Sequence, residues 1–172
     1  MGEVTPALEA LQAPVPLTII HDTSRFDCGR PPLNDRLKFR ALTSESRSAR
    51  YFVLCARKTS LVIGYYCLTV GAVQYDGAPR KIRQNTPSPI PVIIIDRMAI
   101  DKAYQGKGLG RALLKDALLR IVRASELVGA RAVLVHAVDQ AAAPFYARYG
   151  FKSFPANNQT LFLPMDEIVA AL

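Results

Sequence analysis

The chain has 172 residues, 50% of them apolar and 21% charged, a balance that suits one globular domain with a full core and excludes a disordered polypeptide. No apolar run approaches the roughly 20 residues needed to cross a bilayer, and the start Met1-Gly2-Glu3-Val4-Thr5-Pro6 lacks a signal peptide's basic head and apolar core. The net charge is +8; residues 25–60 hold nine basic side chains against three acids, which supply +6 of it and favour a polyanionic partner.

Residues 1–16 contain three prolines and no sustained period, so they are expected to form a flexible N-terminal arm ahead of a single domain at 17–172. Leu17–His21 is a short strand candidate. Leu33, Leu37, Ala41 and Leu42 recur at helical spacing, with Arg36, Lys38 and Arg40 on the wet side. Arg50–Ala56 and Leu61–Tyr75, rich in Val, Ile, Tyr and Cys, form a hairpin across Lys58-Thr59-Ser60. Asp76-Gly77 begins a turn. The stretch 78–91, with four prolines and the basic cluster Arg80, Lys81 and Arg83, is expected to be a mobile loop. Val92–Ile100 is apolar enough to be a strand buried on both faces. Leu109, Leu113, Leu114, Ala117, Leu118, Ile121 and Val122 mark an amphipathic helix ending near Gly129, with Lys115, Asp116, Arg120 and Arg123 facing out. Ala132–Ala137 is a buried strand. Asp139 caps a helix reaching Tyr149, where Gly150 stops it. Phe151–Phe154 and Thr160–Leu163 close the chain as a strand pair.

The three cysteines, Cys28, Cys55 and Cys67, have no CxxC spacing and read as reduced thiols of a cytoplasmic protein, two of them facing inward. His21 and His136 are isolated, so no metal site is expected, and His136 is assigned to packing.

The segment richest in chemistry is Gln105-Gly106-Lys107-Gly108-Leu109-Gly110-Arg111, between a strand and a helix. Glycines let a ligand approach the backbone, and a helix's first turn offers unpartnered N–H groups and positive potential. The segment is therefore a phosphate seat, with Lys107 and Arg111 adding charge. The spacing differs from a P-loop, which needs a following Ser or Thr, and from the Gly-x-Gly-x-x-Gly dinucleotide fingerprint. What remains is Gln-x-x-Gly-x-Gly after Arg97-Met98-Ala99-Ile100-Asp101. That pattern resembles the pyrophosphate loop of the GNAT superfamily of acyl-CoA-dependent N-acetyltransferases. Asp139-x-x-Ala142-x-x-Phe145-Tyr146-x-x-x-Gly150-Phe151 independently resembles a second element of the same superfamily.

The resemblance implies a mixed α/β fold, its central, mostly antiparallel sheet splayed between strands 4 and 5 and its helices on both faces. It implies acetyl-CoA as cofactor, held by Met98, Ala99 and Ile100 along the pantetheine arm, by Gln105 to Arg111 at the pyrophosphate, and by Phe145. Tyr146 would protonate the departing thiolate. Pro144 falls inside the predicted helix, favouring a kink or a later start. Asp96 and Asp101 are the carboxylates near the loop that could act as a base. An aminoacyl ester needs less help than lysine, because an α-amino group has a pKa of about 7.7–8.0 against about 10.4.

From residue 17 onward the chain resembles the GNAT toxins of bacterial type II toxin–antitoxin systems. The pieces are Phe26-Asp27-Cys28-Gly29, Ala49-Arg50-Tyr51-Phe52-Val53, Ile63-Gly64-Tyr65-Tyr66-x-Leu68, Pro89-x-Pro91 and Val135-His136-Ala137. This implies acetylation of the free amine of aminoacyl-tRNA, arrest of translation, and neutralisation by a ribbon-helix-helix antitoxin that reaches operator DNA only as the complex. It admits a homodimer and no membrane association. Arg30, Arg36, Lys38, Arg40, Arg80, Lys81 and Arg83 are the RNA-binding candidates. The alternatives are a GNAT enzyme for a small amine or protein, and a non-catalytic CoA- or nucleic-acid-binding module.

Overall fold

A computed structural model of the chain describes residues 12–44, 48–137, 142–155 and 157–172. One sheet contains the strands β1 (Val15–Pro16), β2 (Arg50–Cys55), β3 (Val62–Val73), β4 (Ile90–Ile100), β5 (Ala132–His136), β6 (Lys152–Phe154) and β7 (Asn157–Pro164). Their order is β1-β2-β3-β4-β5-β7-β6. The β1–β2, β2–β3, β5–β7 and β6–β7 ladders are antiparallel and β4–β5 is parallel. The helices are α1 (Pro31–Asp35), α2 (Ala41–Ser44), α3 (Arg80–Arg83), α4 (Leu109–Leu127), α5 (Ala142–Ala147) and α6 (Met165–Ala171). Two compact units emerge, Met1–Leu68 with Arg97–Ala117, and Thr69–Asp96 with Leu118–Leu172. None of the described helices is long and apolar enough to cross a membrane.

In the first unit the expected strand at Leu17–His21 is displaced: the strand is Val15–Pro16, within the expected arm, and the chain turns directly afterwards. The His21 N–H donates to the Thr18 carbonyl and the Thr18 N–H to His21 Nδ1, which closes a turn and leaves Ile19 and Ile20 exposed. Pro16 lacks a donor and is tolerated because β1 is an edge strand. The helix predicted at 33–42 runs as α1, a π-helical turn at Arg36–Arg40, and α2. Pro31 and Pro32 occupy its first turn, where a missing N–H costs nothing. Leu33, Leu37 and Ala41 are buried against Phe26, Tyr51 and Tyr65, while Leu42 is exposed.

The β2–β3 hairpin forms as expected, and Cys55 and Cys67 face inward on it. Tyr65 donates to the Leu33 carbonyl at 2.8 Å, and Tyr66 donates to Asp116, which therefore does not simply face water as its helical position suggested. Gly64 is a contact glycine. A Cβ there would lie 2.8 Å from Ile100 Cδ1, 3.3 Å from Leu113 Cδ1 and 3.4 Å from the Ala99 carbonyl oxygen. Gly64→Val is expected to lower stability by about 1–3 kcal/mol through overpacking, read as a lower urea midpoint at unchanged slope.

In the second unit β4 pairs with β5 from Val92↔Ala132 to Ile95↔Val135. The segment expected to be a mobile loop folds instead: α3 forms at Arg80–Arg83, with Ala78 buried just before it and Ile82 buried within it. Its anchor is Arg131, whose guanidinium donates to the Lys81 carbonyl at 3.1 Å and to Asp166 at 3.1 Å. Lys81 pairs with Glu167 at 3.0 Å. Asp166 and Glu167 lie in the first turn of α6, a helix the periodicity did not reveal; it buries Met165 and Ile168. His136 does not pack inside: it is exposed, with Nδ1 3.1 Å from Thr160 Oγ1.

The helix predicted from Asp139 to Tyr149 is shorter, Ala142–Ala147, and the proposed Asp139 cap lies outside the described residues. Pro144 sits in its first turn, the one part of a helix that tolerates the missing donor. Gly150, at φ +94°, ends it as expected.

Candidate active site

β4 leads into a 3-10 turn at Lys102–Tyr104 that Asp101 caps, its Oδ1 accepting from the Ala103 N–H at 2.9 Å. The chain then bends at Gly106 (φ +76°) and Gly108 (φ +79°), conformations that a side chain disfavours, and enters α4. The Ala112 N–H to Gly108 carbonyl bond, 3.3 Å, starts the helical series. The amides of Leu109, Gly110 and Arg111 therefore have no acceptor within the helix. A Cβ on Gly106 or Gly108 would meet no atom within 4 Å, so the bend is open to a ligand. Free amides, the helix dipole and exposed Lys107 and Arg111 fit a diphosphate. Lys107 Nζ also lies 5.4 Å from the Tyr104 ring centroid.

The Gln105 side chain braces this bend: its Nε2 donates to the Ile100 carbonyl at 2.8 Å and to the Cys28 carbonyl at 3.1 Å. A second brace surrounds Asp27. Its carboxylate accepts from the Gly29 N–H and Asn34 Nδ2 and pairs with Lys102 at 2.9 Å, and these partners, Lys102 foremost, hold it well below the usual carboxylate range. Sequence reasoning singled out Phe26-Asp27-Cys28-Gly29 but gave Asp27 no role; the Asn34 seven residues on was its only local sign. Asp101 Oδ2 accepts the Asp27 N–H at 3.0 Å, so both Asp101 oxygens serve the backbone rather than a reacting amine. Asp96, partly buried on β4, remains the other carboxylate candidate. Met98, Ala99 and Ile100 lie beyond the end of the β4–β5 ladder at Ile95↔Val135.

Tyr146 stands in the second unit on α5. The Phe151 N–H donates to the Tyr146 carbonyl and the Gly150 N–H to the Ala147 carbonyl, the paired bonds of a Schellman stop. The accompanying apolar contact is between the rings of Tyr146 and Phe151, 5.6 Å apart, and Phe145 packs edge-on against Tyr146 at 5.1 Å. Tyr146 is buried, and among the described residues none takes its hydroxyl in a hydrogen bond. Burial pushes its pKa up to about 12, so the phenol carries its proton at neutral pH, the state an acid requires. In an alkaline ultraviolet titration, the wild type minus Tyr146→Phe difference should show no phenolate signal until well above the ordinary pH of about 10.

The basic candidates separate into two groups. Arg30 and Arg40 are exposed, and Arg36 and Lys38 are half-buried, on or beside the helical run of the first unit. Arg80 and Arg83 belong to α3, and Lys81 beside them is engaged with Glu167.

The family model for the acetyltransferase (GNAT) domain matches residues 48–153. This chain belongs to the GNAT acetyltransferases. The tRNA-acetylating toxin of Mycobacterium tuberculosis is 37% identical to this GNAT protein over 166 residues, 96% of this chain and 99% of its own. AtaT complexed with acetyl-methionyl-tRNAfMet superposes with a TM-score of 0.85 at 31% identity, covering 94% of this chain and 98% of that one. A tyrosine-to-phenylalanine AtaT mutant bound to the C-terminus of the antitoxin AtaR and acetyl-CoA gives 0.80 at 29%, covering 94% and 98%. The GNAT fold is thus the architecture of the whole described chain.

Proposed function

We propose that this GNAT enzyme is a toxin that moves the acetyl group of acetyl-CoA onto the free α-amine of an aminoacyl-tRNA and so stops translation in the cytoplasm. The observation that carries the reading is the end-to-end likeness to a tRNA-acetylating toxin. When bound, acetyl-CoA supplies an acetyl thioester. The amides of Leu109, Gly110 and Arg111, with Lys107, would hold its diphosphate, and the end of β4 from Met98 to Ile100 would run along its arm. The Tyr146 hydroxyl would supply a proton to the coenzyme sulfur as it departs and would recover one from solvent. The ester on the same carbon lowers the α-amine below its ordinary range of about 7.7–8.0, so the amine is readily available in its neutral form near pH 7, and the proton its nitrogen sheds after attack leaves to water without a dedicated base.

The likeness to AtaT bound to the antitoxin AtaR, and to an AtaT–AtaR complex bound to DNA, supports an antitoxin as the neutralising partner with DNA met through that complex, and a ribbon-helix-helix protein is the partner we propose. Incubation with labelled acetyl-CoA and total charged tRNA tests the reading. Label should enter the RNA fraction and leave on mild deacylation; label appearing only on a polyamine or protein would overturn it.

A further inference from the structure

The first unit holds an open cavity of about 470 Å³ lined by His21, Asp22, Thr23, Ser24, Lys38 and Phe39, within the ordinary range for a small-ligand site. None of these residues belongs to the phosphate bend. Phe39 is 74% exposed, unusual for a large aromatic residue on a helix whose other face is packed. An exposed ring beside a lysine, in a segment with a marked basic surplus, is the combination that binds unpaired nucleotides: the base stacks and the cation meets the phosphate.

The polar side of the cavity is fixed. The Asp22 N–H donates to the Ser60 carbonyl at 2.7 Å and its carbonyl accepts from the Val62 N–H at 2.9 Å, so the backbone is pinned beside β3. The Thr18 N–H donates to His21 Nδ1 at 2.9 Å, so Nδ1 is the bare nitrogen and Nε2 carries the proton. Ser24 donates through both N–H and hydroxyl to Asp22 Oδ1, which keeps the carboxylate ionised and leaves Oδ2 without a partner among the described residues. His21 Nε2–H is thus a donor and Asp22 Oδ2 an acceptor among the lining residues. Every nucleobase has a donor next to an acceptor on its edge, so such a pair can meet any base, and the exposed ring supplies the stacking.

We infer that this cavity is a nucleobase pocket for the single-stranded CCA end of the RNA substrate, with Phe39 stacking on a base, Lys38 meeting its phosphate, and Asp22 and His21 at its polar edge. The inference rests on the aminoacyl-tRNA reading, since the CCA end carries the acetylated amine and must pass over the protein to deliver it. The same base chemistry occurs in the adenine of coenzyme A, and the test separates the two sources.

Fluorescence anisotropy with labelled ACCA and an abasic tetranucleotide of equal charge, and the full-length protein, is the direct measurement. The wild type should prefer ACCA. Phe39→Ala should weaken ACCA by roughly 5- to 100-fold and erase the preference, and Phe39→Trp should retain it. In turnover, Phe39→Ala should raise KM for aminoacyl-tRNA at unchanged kcat, with acetyl-CoA affinity unaltered. Equal binding of both tetranucleotides, or ACCA binding indifferent to Phe39→Ala, overturns the pocket. So does a Phe39→Ala variant that loses acetyl-CoA instead, which would assign the cavity to the cofactor's adenine. A wild type that acetylates aminoacyl-tRNA yet fails these binding tests sinks the pocket alone; one that never labels RNA sinks the substrate reading beneath it.

Discussion

Tyr146→Phe is expected to lower kcat for acetyl transfer by about 10²- to 10⁴-fold, while KM for acetyl-CoA moves by less than about threefold. The substitution removes one oxygen and keeps the ring that packs against Phe145 and Phe151. Because no described residue takes the hydroxyl, its loss strands no buried partner among them, and the melting temperature should stay within a few degrees. Induced expression of the wild type should arrest growth, and the variant should relieve the arrest. A variant with full kcat would remove Tyr146 from the chemistry and leave it as the apolar contact of a helix stop.

Gly108→Val should raise the dissociation constant of acetyl-CoA by about 10- to 100-fold, measured by calorimetry. At φ +79° a branched side chain is strained, and its Cβ projects into open space beside the unpartnered amides of the bend. Since that Cβ meets no protein atom within 4 Å, the fold loses only the backbone strain. Gly64→Val is the converse control: its side chain collides with Ile100 and Leu113 and acts on stability. Affinity retained by Gly108→Val would place the diphosphate elsewhere.

The elements legible from the residues were those whose pattern repeats. α4 has 19 residues, enough for Leu109, Leu113, Leu114, Ala117 and Ile121 to declare a buried stripe. The β2–β3 hairpin and β4 were equally plain, because long apolar strands need no distant partner to identify them. β1, α3 and α6 escaped because two, four or seven residues carry less than two helical turns of period, and contacts far along the chain stabilise them. For α3 those contacts come from Arg131 and Glu167, which no local window joins to Lys81.

The candidate site divides along the same line. The glycine bend is local, so its residues and conformation could be read directly from Gly106 and Gly108. The aim of a long side chain is not local. Gln105 was grouped with the diphosphate ligands, yet its amide is turned toward Cys28 and Ile100. Asp101 offered itself as a base and proved to be a cap. Tyr146 was singled out by a motif that also contains Gly150 and Phe151, and the helix stop those two make fixes its backbone.

The bracing by Gln105 has a kinetic corollary. A bend whose shape is already held by two carbonyls requires no folding step when its anion docks. In stopped-flow mixing, acetyl-CoA capture should therefore be a single exponential whose observed rate climbs in proportion to concentration without levelling off. Gln105→Ala should introduce a plateau, the signature of a slow rearrangement gating entry.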